Sequence, residues 1–169
     1  YDKRSGKIWF NGTPINWPDV KIHVLSHGLH YASCVFEGER VYDGKIFKLE
    51  EHTERLFHSA SRMGFKIPYT PEILNKASKE IIAIQKVKNG YVRPVAWRGS
   101  EMMAISAQQT KINVAIAAWD WGSYFDPNLK LKGIKLDISK WRRPAPNTIP
   151  CDTKASGLYM ICTLSKHEA

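Results

Sequence analysis

The sequence predicts an α+β fold built on antiparallel strands, and three observations carry that reading. Two tight-turn signals separate strand-like runs. Two amphipathic helical patterns follow them. The later strand-like segments do not alternate with helices, which argues against a β-α-β arrangement.

The first hairpin is Ile8-Trp-Phe-Asn-Gly-Thr-Pro-Ile15, where Asn11-Gly12 supplies the two left-handed residues of a type I′ turn. Residues 26–31 (Ser-His-Gly-Leu-His-Tyr) are polar and aromatic and read as a loop. A second hairpin pairs 34–42 with 45–49 across Asp43-Gly44. Residues 50–62 read as a helix, with Leu49, Leu56, Ala60 and Met63 on one face and Gly64 suited to its C-cap. A second helix covers 71–87. Pro71 fits its first turn, and Ile73, Leu74, Ala77, Ile81 and Ile84 form its stripe. Residues 91–97, 111–119 and 133–139 read as strands, and 156–169 as a closing helix. The best linker lies at 122–132, where Gly, Pro and Asn accumulate.

With 169 residues, 43% apolar and 24% charged, the chain can bury a core without staples, and intrinsic disorder is excluded. It reads as one domain or one plus part of another. The longest apolar run, 114–119, is too short to cross a bilayer, and the polar N-terminal stretch lacks the apolar region of a secretory signal. Cys34, Cys151 and Cys162 are odd in number and widely spaced, which points to a reduced cytoplasmic protein. No metal-ligand spacing occurs, so no metal is expected.

The formal net charge is +9. Residues 130–154 hold seven basic and two acidic side chains, the densest basic stretch. Such an excess suits an anionic partner, although a solvated basic face explains charge alone at least as well. Neither a phosphate-binding glycine loop nor a Gly-x-Ser-x-Gly elbow is present. What remains is a set of Arg40, Arg55, Tyr91, Arg93, Lys154 and Tyr159 at strand ends and in loops. Guanidinium forks suit carboxylates and phosphates, and a neutral lysine can form an imine with a carbonyl. Tyr91 and Arg93, two apart on one strand, point to the same side. Singly, each of the six is more often structural; Arg55, for one, could pair with Glu51 one helical turn earlier.

The stretch His27-Gly-Leu-His-Tyr-Ala-Ser-Cys-Val-Phe-Glu-Gly-Glu-Arg40 closely resembles a signature of bacterial branched-chain amino-acid aminotransferases, which are pyridoxal 5'-phosphate (PLP) enzymes of fold type IV. The resemblance continues in order through Ile8-Trp-Phe-Asn-Gly12, Glu51-His-Thr-Glu-Arg-Leu56, Tyr91-Val-Arg-Pro94 and Trp119-Asp-Trp-Gly122. It ends in Arg142-Arg-Pro-Ala-Pro-Asn-Thr-Ile-Pro150 and Thr153-Lys-Ala-Ser-Gly-Leu-Tyr159. It implies a small N-terminal domain with an antiparallel sheet and two helices (1–121), a linker (122–132) and the start of a larger β-barrel-like PLP domain, cut short (133–169).

The resemblance also implies roles. Lys154 is the lysine that holds PLP covalently, Tyr159 contacts the cofactor's phenolic oxygen, and Arg55 binds its phosphate. Tyr91 contacts the substrate α-carboxylate, and Arg93 helps accept the side-chain carboxylate of glutamate. Phe36, Gly38 and Trp121 line the side-chain pocket, with Arg40 in support. Tyr31, Met103 and Ile105 come from the neighbouring subunit, so a homodimer or higher homo-oligomer with shared sites is expected. The implied reaction transfers the amino group of leucine, isoleucine or valine to 2-oxoglutarate, with no nucleic-acid or membrane partner. The alternatives are a D-amino-acid aminotransferase, an aminodeoxychorismate lyase, or an inactive unit that only folds and dimerises. Without the rest of the large domain, the 169 residues alone are expected to be inactive.

Overall fold

A computed structural model describes residues 1–122 and 127–169. Its centre is an open, antiparallel seven-stranded sheet. Strands β1 (Lys7–Phe10) and β2 (Thr13–Asn16) form the first hairpin, with Asn11 at φ 48° and Gly12 at φ 105° as a type I′ turn requires. After a short helix α1 (His27–Tyr31) come β3 (Cys34–Phe36), β4 (Glu39–Tyr42) and β5 (Lys45–Ile46). Helices α2 (Leu49–Arg62) and α3 (Pro71–Ile84) precede the long strands β6 (Gly90–Arg98) and β7 (Ile112–Asp120). The spatial order is β2-β1-β7-β6-β4-β5, and β3 also pairs with β6.

The register sorts side chains onto two faces. Val35, Glu39 and Val41 stand opposite Ala96, Val92 and Gly90, and Val92, Pro94 and Ala96 stand opposite Ala118, Ile116 and Val114. This face packs on the buried stripes of α2 (Leu56, Ala60) and α3 (Leu74, Ala77, Ile81) to make the core. The opposite face carries Phe36, Arg40, Tyr91, Arg93, Val95 and Trp97, through the pairs Cys34–Trp97, Phe36–Val95 and Arg40–Tyr91.

Several expectations are corrected. Residues 27–31 form a helical turn rather than a loop, ended by Ala32 in the left-handed region at φ 54°. The 34–42 run is broken at Glu37-Gly38, and its partner strand stops at Ile46 because helix α2 starts at Leu49. Helix α3 stops at Ile84, with Lys86 turning left-handed at φ 54°. Its ends Ile73 and Ile84 are exposed, and Ser78 and Ile82 take places on the buried face instead. Residues 133–139 form no strand. Ile134, Leu136 and Ile138 are exposed, and no strand among the described residues lies beside them to complete the ladder.

Within the expected linker, residues 123–126 lie outside the described residues, and Pro127–Lys132 is a short helix, α4. The closing helix starts with a 3-10 turn (Ser156–Tyr159) and continues as α5 (Met160–Glu168). Ala155 and Leu158 join the same core as the sheet, and Ala155 bridges to Val35. Among the described residues, no helix is long and apolar enough to cross a membrane.

Candidate active site

Lys154 is fixed through its backbone before its side chain does anything. Its N–H donates to Ser59 Oγ on α2 at 3.0 Å, and its carbonyl accepts from Phe36 N–H on β3 at 3.2 Å. The side chain then runs to a pair of adjoining aromatic rings. Nζ lies 4.8 Å from the ring centroids of both Phe36 and Tyr159 and donates to Tyr159 Oη at 2.6 Å. The two rings meet edge to face at 4.7 Å. A primary amine is thus held against a phenol, beside a corner made by two aromatic rings.

Beside it, Tyr91 and Arg93 share the sheet face as their spacing implies. Arg93 donates to Tyr91 Oη at 3.0 Å, and its guanidinium lies 4.5 Å from the Phe36 ring. Gly38 explains how the Tyr91 phenol fits here. A Cβ at position 38 would stand 1.8 Å from Tyr91 Oη. Trp121 packs on Tyr91 at 4.8 Å. Arg40 donates to the Trp121 carbonyl at 3.1 Å, which ties the end of β7 to β4.

Arg55 does not pair with Glu51, which meets Lys48 instead. Its guanidinium forks onto Glu37, Nε to Oε1 at 2.5 Å and a terminal nitrogen to Oε2 at 2.8 Å, while half of its side chain stays exposed. His52 Nδ1 also lies 2.8 Å from Glu37 Oε2. Burial works to raise the Glu37 carboxyl, but hydrogen bonds from Arg55 and His52, the Arg55 charge and the Gly38 N–H outweigh it and hold it at about 2. Glu39, two residues on and also fully buried, has neither oxygen hydrogen-bonded among the described residues. Burial, then the charge of Glu37, push it up to about 8.

The structure therefore gathers Lys154, Tyr159, Phe36, Tyr91, Arg93, Gly38 and Trp121 on one side of the sheet, with Arg55 near enough to Tyr159 to interact electrostatically. It does not bring Tyr31, Met103 or Ile105 to this group; all three are exposed, and Tyr31 stacks on His27. An apolar cavity of about 770 Å³ opens from Tyr159 along the same face, past Cys34, Val95, Trp97 and Met160. Sequence reasoning misses Glu37, His52 and Ser59. His52, Arg55 and Ser59 follow helical spacing on α2, a signal for one shared face. Glu37 lies 18 residues from Arg55, and no local pattern joins them.

A profile described as amino-transferase class IV matches residues 34–169. The branched-chain-amino-acid aminotransferase of Pseudomonas aeruginosa is 39% identical over 170 residues, covering 98% of this chain and 55% of that protein. The T.th. branched-chain amino acid aminotransferase with pyridoxamine 5'-phosphate superposes with a TM-score of 0.92 at 37% identity, over 98% of this chain and 56% of that one. The same enzyme complexed with N-(5'-phosphopyridoxyl)-L-glutamate gives 0.88 at 35%, over 98% and 54%. The chain spans about half the length of the curated relatives it matches. PLP is the cofactor of the relatives' family. Because the class IV profile covers most of the sequence, from β3 to the last residue, the chain belongs to the class IV aminotransferases.

Proposed function

We propose that this chain forms the N-terminal part of a PLP-dependent aminotransferase that acts on leucine, isoleucine and valine, with 2-oxoglutarate as amino acceptor. The observation that carries the reading is the amine–phenol pair of Lys154 and Tyr159, 2.6 Å apart against Phe36. The donor set fits the cofactor. Lys154 offers the amine for its carbonyl, Tyr159 a hydroxyl for its ring oxygen, and Arg55 a guanidinium edge for its phosphate. When bound, PLP supplies the electron sink for carbanion chemistry at the substrate Cα.

The protein's own groups do the rest. Lys154 Nζ would take the proton from the substrate Cα and deliver it to the carbon that bore the cofactor's carbonyl, and Tyr159 Oη holds that nitrogen in line. Glu37 holds the Arg55 fork toward the phosphate. Tyr91 Oη orients the α-carboxylate. Arg93, with its Nε buried and unpartnered among the described residues, takes the second carboxylate of glutamate. Phe36, Trp121 and the space left by Gly38 accept a branched aliphatic chain. One pocket thereby serves an apolar and an anionic side chain in turn.

On this reading residues 1–121 form the small domain, 122–132 the linker and 133–169 the start of the PLP domain, in a cytoplasmic homodimer or higher homo-oligomer. Tyr31, Met103 and Ile105 complete the site of the neighbouring subunit. Glutamate formation from 2-oxoglutarate tests the reading, with leucine, isoleucine, valine, D-alanine and aminodeoxychorismate supplied in parallel to the holoenzyme. Turnover of the three branched L-amino acids is expected. Turnover of D-alanine alone, or pyruvate release from aminodeoxychorismate alone, would overturn it.

A further inference from the structure

The three side chains assigned to a neighbouring subunit's site share one feature that their sequence positions hide: a single buried histidine holds the elements that carry them. His27 is 4% exposed. Its Nε2 lies 3.0 Å from the carbonyl of Ala104, and its Nδ1 lies 2.6 Å from Ser33 Oγ. A carbonyl can only accept, so Nε2 carries a proton and donates to it, while Nδ1 pairs with the Ser33 hydroxyl. The ring also stacks on Tyr31, with centroids 4.5 Å apart and planes at 27°. Ala104 sits between Met103 and Ile105. One imidazole therefore touches both presenting elements, helix α1 by its ring and the β6–β7 loop by its nitrogen.

The rest of that loop is secured elsewhere. Gly99 N–H donates to the Lys111 carbonyl at 2.8 Å and Lys111 N–H to Glu101 at 3.0 Å, closing the neck. Arg98 donates to the Ala107 carbonyl at 2.7 Å, fixing the returning limb. His27 holds the tip. Helix α1 is itself seated on β6, since His27 N–H donates to the Gly99 carbonyl at 2.8 Å and a Cβ on Gly28 would come within 2.9 Å of Trp97. Against this fixed frame Tyr31 is 45% exposed, Met103 39% and Ile105 88%. These large apolar side chains stand exposed on the two elements that the buried imidazole joins.

We propose that His27 is a positioning residue. It aligns Tyr31 with the 103–105 tip so that one subunit supplies a pre-formed apolar wall to the active site of a second copy of this chain. The proposal rests on the shared-site reading above and adds to it the residue that couples the two elements. Loss of the Ala104 hydrogen bond weakens binding of the aliphatic side chain and leaves the chemistry at Lys154 in place.

The test uses the holoenzyme. His27→Phe keeps a ring against Tyr31 but donates nothing to Ala104. The KM for leucine is expected to rise about tenfold, the worth of one hydrogen bond, with kcat within about twofold. His27→Gln, which retains an N–H donor, recovers most of the loss. Mixed dimers assign the effect to a subunit. A His27→Phe subunit paired with a Lys154→Ala subunit has one working lysine, whose wall comes from a chain with intact His27, and its KM should be that of wild type. A wild-type subunit paired with a His27→Phe/Lys154→Ala subunit should show the raised KM. If the defect follows the working lysine's own subunit, the shared-site reading fails. If both mixed dimers and the His27→Phe homodimer keep the wild-type KM, the role of His27 fails while the shared site stands. Should His27→Phe not assemble, His27→Asn carries the same comparison, its amide being too short to reach Ala104.

Discussion

The two faces of the central sheet obey different rules. On the helix-packed face, Val35, Val41, Val92, Ala96, Val114 and Ile116 are buried against α2 and α3, as apolar burial demands. On the other, Phe36, Arg40, Tyr91 and Arg93 are only partly buried and interlock through cation–ring contacts and hydrogen bonds. Strand pairing is common to both, so the backbone alone does not distinguish them. What differs is what covers each face. One is closed by helices and holds the fold; the other is left partly open, with its cations and rings in contact with one another. Glu39 is the exception, an acid on the closed face with no hydrogen-bond partner among the described residues.

The largest expected effect lies on the open face. Lys154→Ala should lower transamination by more than about 10³-fold, within the range that general acid–base groups supply. Its circular dichroism and thermal midpoint should stay near wild type. The mirror experiment is Ile116→Ala on the closed face. Chemical denaturation should register a loss of about 2–5 kcal/mol, the cost of a core cavity, with KM unchanged in the folded fraction. A mutation that moved both properties together would break the comparison.

Glu39→Gln tests the exception. A carboxyl held up at about 8 in the fold keeps its proton where the unfolded chain has lost it. Its contribution is therefore complete below the ordinary carboxylate pKa and is lost as pH rises through about 8. Replacing it with a neutral amide should raise stability at pH 8, on the order of a few kcal/mol, and change it little at pH 4. Glu37 has the opposite sign. Held at about 2, it stabilises above the ordinary carboxylate pKa, and that stability drains away as pH falls through about 2. Melting curves of wild type and Glu39→Gln across pH separate the two. A smaller effect is expected for Gly38→Ala, whose Cβ would displace the Tyr91 phenol from Arg93. The KM for branched-chain substrates should rise about tenfold with little change in melting temperature.

The difference between the faces also explains how much is legible in the amino-acid sequence. Local chemistry is legible: the Asn11-Gly12 and Asp43-Gly44 turns, the stripe of α2, and the alternation that puts Tyr91 and Arg93 on one side. Features set by register or distant partners are not. The position of Glu39 in the core depends on its pairing with Val92, 53 positions on. The Arg55 fork depends on Glu37, which lies on the far side of the β4–β5 hairpin in sequence. Residues 133–139 alternate like a strand, yet alternation describes only which sides are apolar; a strand also needs a neighbour to bond with. The motif resemblance locates the Lys154 neighbourhood but gives no sign of Ser59, whose hydroxyl holds the lysine's backbone.

If the open face is organised around the Lys154 amine, that amine is the one that carries PLP. Borohydride reduction of the PLP-loaded holoenzyme, followed by proteolysis and mass mapping, tests it directly. The cofactor label is expected on Lys154. A label on Lys140 or Lys166, or the same labelling in Lys154→Ala, would rule out Lys154 as the cofactor lysine.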